Sequence, residues 1–394
     1  PVLPRLVERF MGGDTAHAAQ IYGLFGTVWA LMQFFCAPLL GALSDRFGRR
    51  PVILFSILGL GLDYILMALA PTVGWLFVGR VISGITGASF TTAYAYIADV
   101  SPPEKRAANF GLIGAAWGLG FVLGPALGGL LGGISPRLPF WVAAGLALLN
   151  TLYGLFVLPE SLPPERRRPI HWKRANPVGA LRLLRSHPEL IGLSAVSFLF
   201  FVAHQVLPSI TVLYTSLRYG WNELTMGLTL AGVGILGVIV QALLVRPAVA
   251  RYGERRTLIT GLLFGAIGFS FYGLATTSVA FWVGLLPSAL MGLYQPSVQA
   301  LMTRRVGPSE QGQLQGANTS LMGITGMVGP GLFTLTFAHF IQDDAPVYLP
   351  GAPFLLATVL MLNAGFIAWR VTRGQAVAPA AEAEASLAAA PTTT

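Results

Sequence analysis

The sequence predicts an all-α integral membrane protein built from two similar halves of six helices each. Of its 394 residues, 54% are hydrophobic and only 10% are charged, and the mean hydropathy is +0.67. Soluble domains carry about 25% charged residues. Apolar runs of about twenty residues, the length that crosses a bilayer as a helix, recur along the chain between short arginine-rich turns.

Eleven spans can be placed in order along the chain. They follow an amphipathic segment, residues 1–20, which begins at Pro1 without Met. We interpret this segment as the exit of a truncated helix 1 whose body lies upstream, so that the count becomes twelve. The predicted spans are Ile21–Gly41, Pro51–Ala70, Trp75–Ala98, Asn109–Leu131, Pro139–Leu158, Leu190–Tyr214, Thr225–Val245, Thr257–Thr276, Ala280–Met302, Gly316–Phe340 and Pro353–Val371.

The longest connection divides these spans into two pseudo-symmetric bundles. It is polar and rich in Pro and Arg, and a final segment rich in Ala, Pro and Thr is predicted to be disordered. The predicted parts are an N-terminal bundle, 1–158 (helices 2–6 and the end of helix 1), a basic linker, 159–188, a C-terminal bundle, 189–373 (helices 7–12), and a tail, 374–394.

Two motifs repeat between the bundles. Residues 250–255 repeat the turn 45–50 with its acid lost, and Gly329-Pro330 repeats Gly124-Pro125. Internal repeats of this kind are typical of membrane transporters.

The basic residues predict the orientation of the chain. Of the 25 Lys and Arg residues, twenty fall on the side of the turn 45–50, four on the other side, and Arg80 inside a span. Cytoplasmic loops carry the excess of such residues, so the arginine-rich loops are predicted to be cytoplasmic. The net charge of +9 is spread over these turns, which argues against a nucleic-acid partner.

No residue pattern indicates catalysis or a bound cofactor. The sequence has one cysteine, Cys36, in an apolar run, and no metal-ligand cluster, nucleotide-binding motif or catalytic constellation. We therefore expect a protein that is not an enzyme and that has no cofactor and no metal site.

Asp63 and Arg80 are the two charges most clearly inside predicted spans. Each costs about 2.5 to 3.5 kcal/mol there on insertion scales. Asp63 precedes the turn at Thr72 by nine residues and Arg80 follows it by eight, so the two lie at nearly the same depth on adjacent helices. One interpretation is a structural ion pair, and the other is a proton or substrate site in which Asp63 titrates.

Several uncharged or weakly basic groups also lie within spans. Each alone is best explained as a hydrogen bond between helices, whereas together they predict a polar substrate cavity lined by both halves. His204, with an ordinary pKa of about 6.5, is also a candidate proton carrier. These groups are Gln33, His204, Gln205, Gln241, Gln299 and Asn318, and we assign the charged Arg80 to the same cavity.

The turn that follows the first span carries the strongest motif. Residues 41–50 read Gly-Ala-Leu-Ser-Asp-Arg-Phe-Gly-Arg-Arg and resemble the loop between helices 2 and 3 of the major facilitator superfamily at every specified position. That resemblance implies the superfamily fold and a gating loop whose aspartate meets the N-terminal end of helix 11, near Gln313. The alternative is a solvated charge that only helps topology. The gating loop comprises Asp45, Arg46, Arg49, Arg50 and its partner Asp99.

A glycine-rich stretch of helix 5 indicates which group of the superfamily the chain resembles. Gly120, Gly124, Pro125 and Gly128 belong to a pattern that resembles the helix 5 motif of drug/proton antiporters, where it permits close packing between the halves. The plain alternative is ordinary packing of small residues between helices.

The whole chain is similar to the bacterial tetracycline/proton antiporters. Stretches such as Leu62-Asp63-Tyr64 and 311–316 (Gln-Gly-Gln-Leu-Gln-Gly) carry the likeness. It implies that Gln33 and Gln241 contact substrate and that Asp63 and Arg80 are essential membrane charges. The chain departs from that family where Gly237 and Gly265 replace a histidine and an aspartate.

These observations lead to one expected function and two alternatives. We expect a monomeric antiporter in a bacterial inner membrane that exports tetracycline or another amphipathic drug in exchange for protons, coupled through Asp63 and His204. The alternatives are a facilitator or uptake carrier for a small solute, and a membrane receptor or scaffold. Its expected partners are the drug, protons and the lipid bilayer.

Overall fold

The computed structural model describes residues 2–167, 188–306, 311–342 and 345–373. Every regular element within these ranges is helical. Most of the predicted linker and the whole predicted tail lie outside the described residues.

The first half contains a short helix and five long ones. A helical piece, α1, precedes the first predicted span, and α4 is interrupted near Ala88. The helices are α1 (Val2–Phe10), α2 (Thr15–Phe47), α3 (Arg49–Leu69), α4 (Val73–Gly87 and Phe90–Val100), α5 (Pro103–Ile134) and α6 (Leu138–Val157).

The second half contains six long helices, of which several are broken. The helix Val245–Leu274 is interrupted at Gly253 (φ 74°, ψ 162°), and we assign the parts before and after it to α8 and α9. The helices are α7 (Pro188–His204 and Val206–Tyr219), α8 (223–252), α9 (254–274), α10 (Ser278–Val283, Leu285–Leu290 and Tyr294–Thr303), α11 (Gln311–Ile341) and α12 (Ala352–Val371).

The number of membrane crossings agrees with the sequence. Within the described residues, ten helical stretches are long and apolar enough to cross a membrane. One of them, Glu223–Leu274, has 52 residues and contains the break at Gly253. If straight it would be about 78 Å long at about 1.5 Å per residue, more than twice the hydrocarbon thickness, so it makes two crossings. Together these stretches account for the eleven predicted spans.

Local chemistry sets several helix ends. The Asp14 carboxylate accepts a hydrogen bond from the His17 amide at the start of α2, and the Asn222 side chain accepts one from Thr225 at the start of α8. Both satisfy amides that have no partner within the helix. Gly220 ends α7 in the left-handed conformation, φ 65°, which glycine adopts without steric cost.

The repeated turns have the same geometry in the two halves. Gly48 (φ 107°, ψ 157°) and Gly253 (φ 74°, ψ 162°) each make a sharp bend between two helices. In each half, the arginine two residues after this glycine contacts the end of the last helix of its own half. Arg50 donates to the Leu155 carbonyl of α6, and Arg255 donates to the Thr372 hydroxyl after α12. We call the side of the molecule that holds these turns the basic face, and the other side the opposite face.

Candidate functional site

The two halves meet along α2 and α11, which run antiparallel. A Cβ built on Gly26 would lie 2.9 Å from Pro330, and one built on Gly323 would lie 2.5 Å from the Phe34 ring. The Thr27 hydroxyl donates to the Met327 carbonyl at 3.0 Å. Small residues therefore allow the helices to touch, and these contacts lie between the opposite face and mid-membrane.

A second seam joins α5 to α8. A Cβ built on Gly227 would lie 2.5 Å from the Pro125 carbonyl oxygen and 2.8 Å from Gly129 Cα. Gly132 abuts the side chain of Glu223, and Gly234 abuts Val122. These contacts lie in the half of α5 nearest the opposite face.

The same side of α5 opens toward the basic face. Val122, Pro125, Gly129 and Gly132 follow one another at helical spacings of three or four, and one turn before Val122 this stripe passes through Gly118. Among the described residues, no atom of another element lies within 4 Å of a Cβ built on Gly118. The α5–α8 seam is thus closed toward the opposite face and widens toward the basic face.

Two motif glycines of helix 5, Gly120 and Gly124, take no part in this seam. Among the described residues, no atom lies within 4 Å of a Cβ built on either of them. Pro125, also in the motif, reaches the seam through its carbonyl oxygen. The close packing that the sequence predicts is made by Gly129 and Gly132.

Gln241 faces the widened part of the seam. Glu223, Gly227, Gly234, Gly237 and Gln241 fall on one stripe of α8, because their spacings are three, four or seven. Gln241 is exposed, and it lies in a π-helical turn, Val240–Leu244, that interrupts α8. Such turns occur frequently at functional sites. Gln241 therefore lies where a substrate between the halves would meet it.

Asp63 and Arg80 lie at the same level on α3 and α4. Asp63 is fully buried, and a Cβ built on Gly79 would lie 2.7 Å from its Oδ1. Within the described residues, neither carboxylate oxygen has a hydrogen-bond partner, and no ion pair joins Asp63 to Arg80. The Arg80 guanidinium instead contacts Met67 Sδ at 3.6 Å, while its Nε has no partner there. Burial without partners is costly for a carboxylate, so this group differs from an ordinary structural ion pair.

Gln33 lies near a different part of α4. Its Nε2 would be 3.2 Å from a Cβ on Gly87, seven residues beyond Arg80. Gln33 of α2 therefore contacts α4 at a different depth in the membrane from Arg80.

His204 and Gln205 occupy the break in α7. Gln205 packs against Gly326 and Gly329 of α11, and Ala30 of the first half approaches Gly326 from the other side at 3.3 Å. His204 is exposed and stacks on Phe200 with the ring centres 6.0 Å apart. Both polar groups are therefore near the junction of the two halves.

Gln299 and Asn318 pair with each other. The Asn318 amide donates to Gln299 Oε1 at 3.3 Å, from α11 to α10. Gln299 Nε2 and Asn318 Oδ1 are buried without a partner among the described residues. The pair retains one donor and one acceptor that a polar ligand or water could use.

Arg49 organises the predicted gating loop. Its guanidinium bonds Asp45 at 2.5 Å and Asp99 at 3.2 Å, and it also donates to the Ser44 hydroxyl. Arg46 lies over the Phe47 ring at 5.2 Å. Among the described residues, no hydrogen bond or ion pair joins Asp45 to α11, where the sequence predicts a contact near Gln313.

Glu160 completes this network, and the sequence reasoning missed it. Its carboxylate accepts hydrogen bonds from the backbone amides of Arg49 and Arg50 at 2.9 and 3.3 Å, which lie at the N-terminus of α3. A helix N-terminus favours an anion. Its position as the first acidic residue after the predicted span 139–158 is the sequence feature that could have identified it.

Two further ion pairs were also missed. On the opposite face, Arg9 of α1 pairs with Glu223 at 3.5 Å, and Arg5 donates to the Trp221 carbonyl, so α1 links the halves. On the basic face, Arg304 pairs with Glu254 at 2.5 Å. Glu254 directly follows Gly253, as Arg49 directly follows Gly48 in the first half. The second pair therefore repeats the Arg49–Asp99 arrangement with the acidic and basic residues exchanged.

The described residues contain no group of three or more His, Cys, Asp or Glu side chains that could hold a metal ion.

Comparisons with known proteins are consistent with this architecture. The family model described as "Major Facilitator Superfamily" matches residues 2–330 and 242–393. The tetracycline resistance protein, class C, of Escherichia coli is 40% identical over 370 residues, covering 94% of this chain and 92% of that protein. The class G protein of Vibrio anguillarum is 39% identical over 343 residues, covering 86% and 85%.

Solved structures match the fold. The nucleoside transporter NupG has a TM-score of 0.73 at 14% identity and covers 91% of both chains. The human organic anion transporter MFSD10 (TETRAN) has a TM-score of 0.67 at 24% identity and covers 93% of this chain and 94% of that one.

Proposed function

The chain belongs to the major facilitator superfamily and groups within it with the bacterial tetracycline resistance proteins, and from this premise we propose that it exports tetracycline or a related amphipathic drug in exchange for protons. As a member of this superfamily it is a multi-pass inner-membrane transporter and not an enzyme. We propose that it works as a monomer, with bundles 1–158 and 189–373 and the basic face in the cytoplasm. The distribution of Lys and Arg supports that orientation.

The two seams support alternating access. Both are closed toward the opposite face, and the α5–α8 seam widens toward the basic face, so a drug would enter from the cytoplasm in this state. The gating loop is consistent with an open cytoplasmic side, since Asp45 pairs within its own half. In the other state, Asp45 meets the N-terminal end of α11, as the superfamily resemblance implies.

The drug would bind between the halves. Gln241 on α8, Gln33 on α2, Arg80 on α4 and Gln205 at the α7 break present polar groups from both bundles. The Gln299–Asn318 pair adds an unpartnered donor and acceptor. Such a mixture of a few polar groups with apolar walls suits an amphipathic molecule.

The proposal of proton coupling rests on the buried environment of Asp63. A fully buried carboxyl whose two oxygens have no partner among the described residues is most stable when it carries a proton. We propose that Asp63 binds a proton when the opposite face is open and loses it when water reaches it from the basic face. His204, exposed at the α7 break, is the second proposed proton carrier and supplies the second half with an ionisable group.

Flux through reconstituted protein tests this function. Proteoliposomes holding the full-length protein are given tetracycline with and without an imposed pH gradient. We expect accumulation that depends on the gradient, loss of that dependence in Asp63→Asn, and normal flux in Glu165→Gln, a matched surface carboxylate. Tetracycline flux that does not depend on the pH gradient would exclude antiport. If the protein does not transport tetracycline but transports another small solute, the facilitator alternative would be favoured.

A further inference from the structure

One face of α12 carries a stripe of exposed apolar residues from mid-membrane to the basic face. Val359, Leu362, Phe366 and Trp369 recur at spacings of three or four, and each is between 40% and 56% exposed. The other face of α12 holds Ala357, Met361, Ala364 and Ala368, which are fully buried in the core of the second half. The exposed stripe therefore faces the acyl chains.

Two arginines continue this stripe beyond its apolar part. The Arg370 guanidinium lies over the Phe366 ring at 6.0 Å, and the Arg373 guanidinium lies over Trp369 at 4.5 Å. Stacking on an aromatic face holds a guanidinium in place and leaves its N–H donors, which lie in the plane of the guanidinium, free to bind other groups. Both arginines are exposed, and neither makes an ion pair within the described part of the chain.

The dimensions of the stripe match one lipid in one leaflet. From Val359 to Arg370 there are eleven steps along α12, or about 16.5 Å at about 1.5 Å per residue, and Arg373 follows the end of the helix at Val371. Half of the hydrocarbon core is about 15 Å. An acyl chain lying along Val359, Leu362 and Phe366 would thus bring its phosphate to the level of Arg370 and Arg373.

We propose that this stripe is a binding site for an anionic phospholipid of the leaflet at the basic face. The two guanidinium forks bind the phosphate and the net negative headgroup, Trp369 lies at the interface, and the apolar residues receive an acyl chain. Zwitterionic lipids fit the apolar part equally well but gain less from the two positive charges. The charge of the headgroup therefore determines occupancy.

Native mass spectrometry of the purified full-length protein tests this site, with phosphatidylglycerol as the probe and phosphatidylcholine as the reference. We compare the wild type, Arg370→Gln with Arg373→Gln, and the control Lys105→Gln with Arg246→Gln. The control removes the same two charges from exposed positions of the basic face on α5 and α8. A nearby arginine favours an anionic lipid about fivefold, so the double variant should lose at least about tenfold in phosphatidylglycerol affinity.

Two further readouts make the test decisive. Added phosphatidylglycerol should raise the thermal unfolding midpoint of the wild type and of the control, but not that of the Arg370/Arg373 variant. Equal phosphatidylglycerol binding by both double variants would overturn the proposal. Removal of residues 374–394 should leave the preference for phosphatidylglycerol intact, and loss of that preference would overturn the proposal as well, because the lipid would then bind through the tail and not through the stripe.

Discussion

Gly227 on α8 is the position where a single methyl group should change the conformational balance. Its built Cβ lies 2.5 Å from the Pro125 carbonyl oxygen, while ordinary contacts begin at 3.4 Å. In Gly227→Ala, α5 and α8 must therefore separate by about 0.9 Å, and backbone atoms cannot rotate away as a side chain would. This strain exists only while the seam is closed.

The expected magnitude follows from overpacking. Extra methyl groups in packed interiors cost about 1–3 kcal/mol, which changes a two-state population by about 5- to 150-fold. We expect Gly227→Ala to shift the protein by that factor toward the state that is open at the opposite face. Gly129→Ala, which strains the same contact from α5, should produce the same shift.

Spin-label distances measure this shift. Cysteines at Ile134 and Val279, both highly exposed at helix ends of the opposite face, are labelled in a Cys36→Ser background. The longer distance should gain population in Gly227→Ala. Gly232→Ala on the same helix is the matched control, because no atom of the described residues lies within 4 Å of its built Cβ. Identical distance distributions in Gly227→Ala and Gly232→Ala would refute the closed seam as described.

Two further predictions concern the basic face. Glu160→Gln keeps the shape of the side chain but removes the charge at the start of α3, so the unfolding midpoint should fall, by an amount equivalent to about 0.5–2 kcal/mol in a thermal melt. An unchanged midpoint would mean that the contacts of Glu160 with the Arg49 and Arg50 amides contribute nothing. Arg304→Glu should reduce transport by placing a second acid beside Glu254, and adding Glu254→Arg should restore it by reversing the pair. Failure of the double variant to recover in the flux assay would show that charge pairing is not what this contact supplies.

The helices and their repeat could be predicted because they depend on local sequence. Hydropathy and charged turns located the eleven spans, and the repeated turn located Gly48 and Gly253. At both positions the structure has a positive φ that glycine tolerates. Helix breaks at Gln205 and within α10 were not predicted, although a proline follows each break by three residues, at Pro208, Pro287 and Pro296. Proline alone does not locate a break, because Pro38, Pro125 and Pro330 lie inside continuous helices.

The rotation of each helix could not be predicted. Helix 5 has small residues on two stripes, one through Gly120 and Gly124 and another through Gly129 and Gly132. Both stripes satisfy a small-residue packing pattern, and only contact with α8 decides which one is used.

Long-range partners were also beyond the sequence. Asp63 and Arg80 were placed at one level by counting residues from the turn. Whether their side chains meet depends on helix phase and on the flexible arginine, which contacts Met67 instead. Glu160 is 111 residues from Arg49 in sequence, so no local pattern could join them.

The central claim is that Asp63 carries the coupled proton, and a measurement of proton movement tests it most directly. Proteoliposomes loaded with a pH-sensitive dye, with no pH gradient at the start, are given an outward or inward tetracycline gradient. The wild type should move protons against the direction of the drug, and Asp63→Asn should move drug without protons or not at all. Drug-driven proton movement of wild-type size in Asp63→Asn would contradict the account.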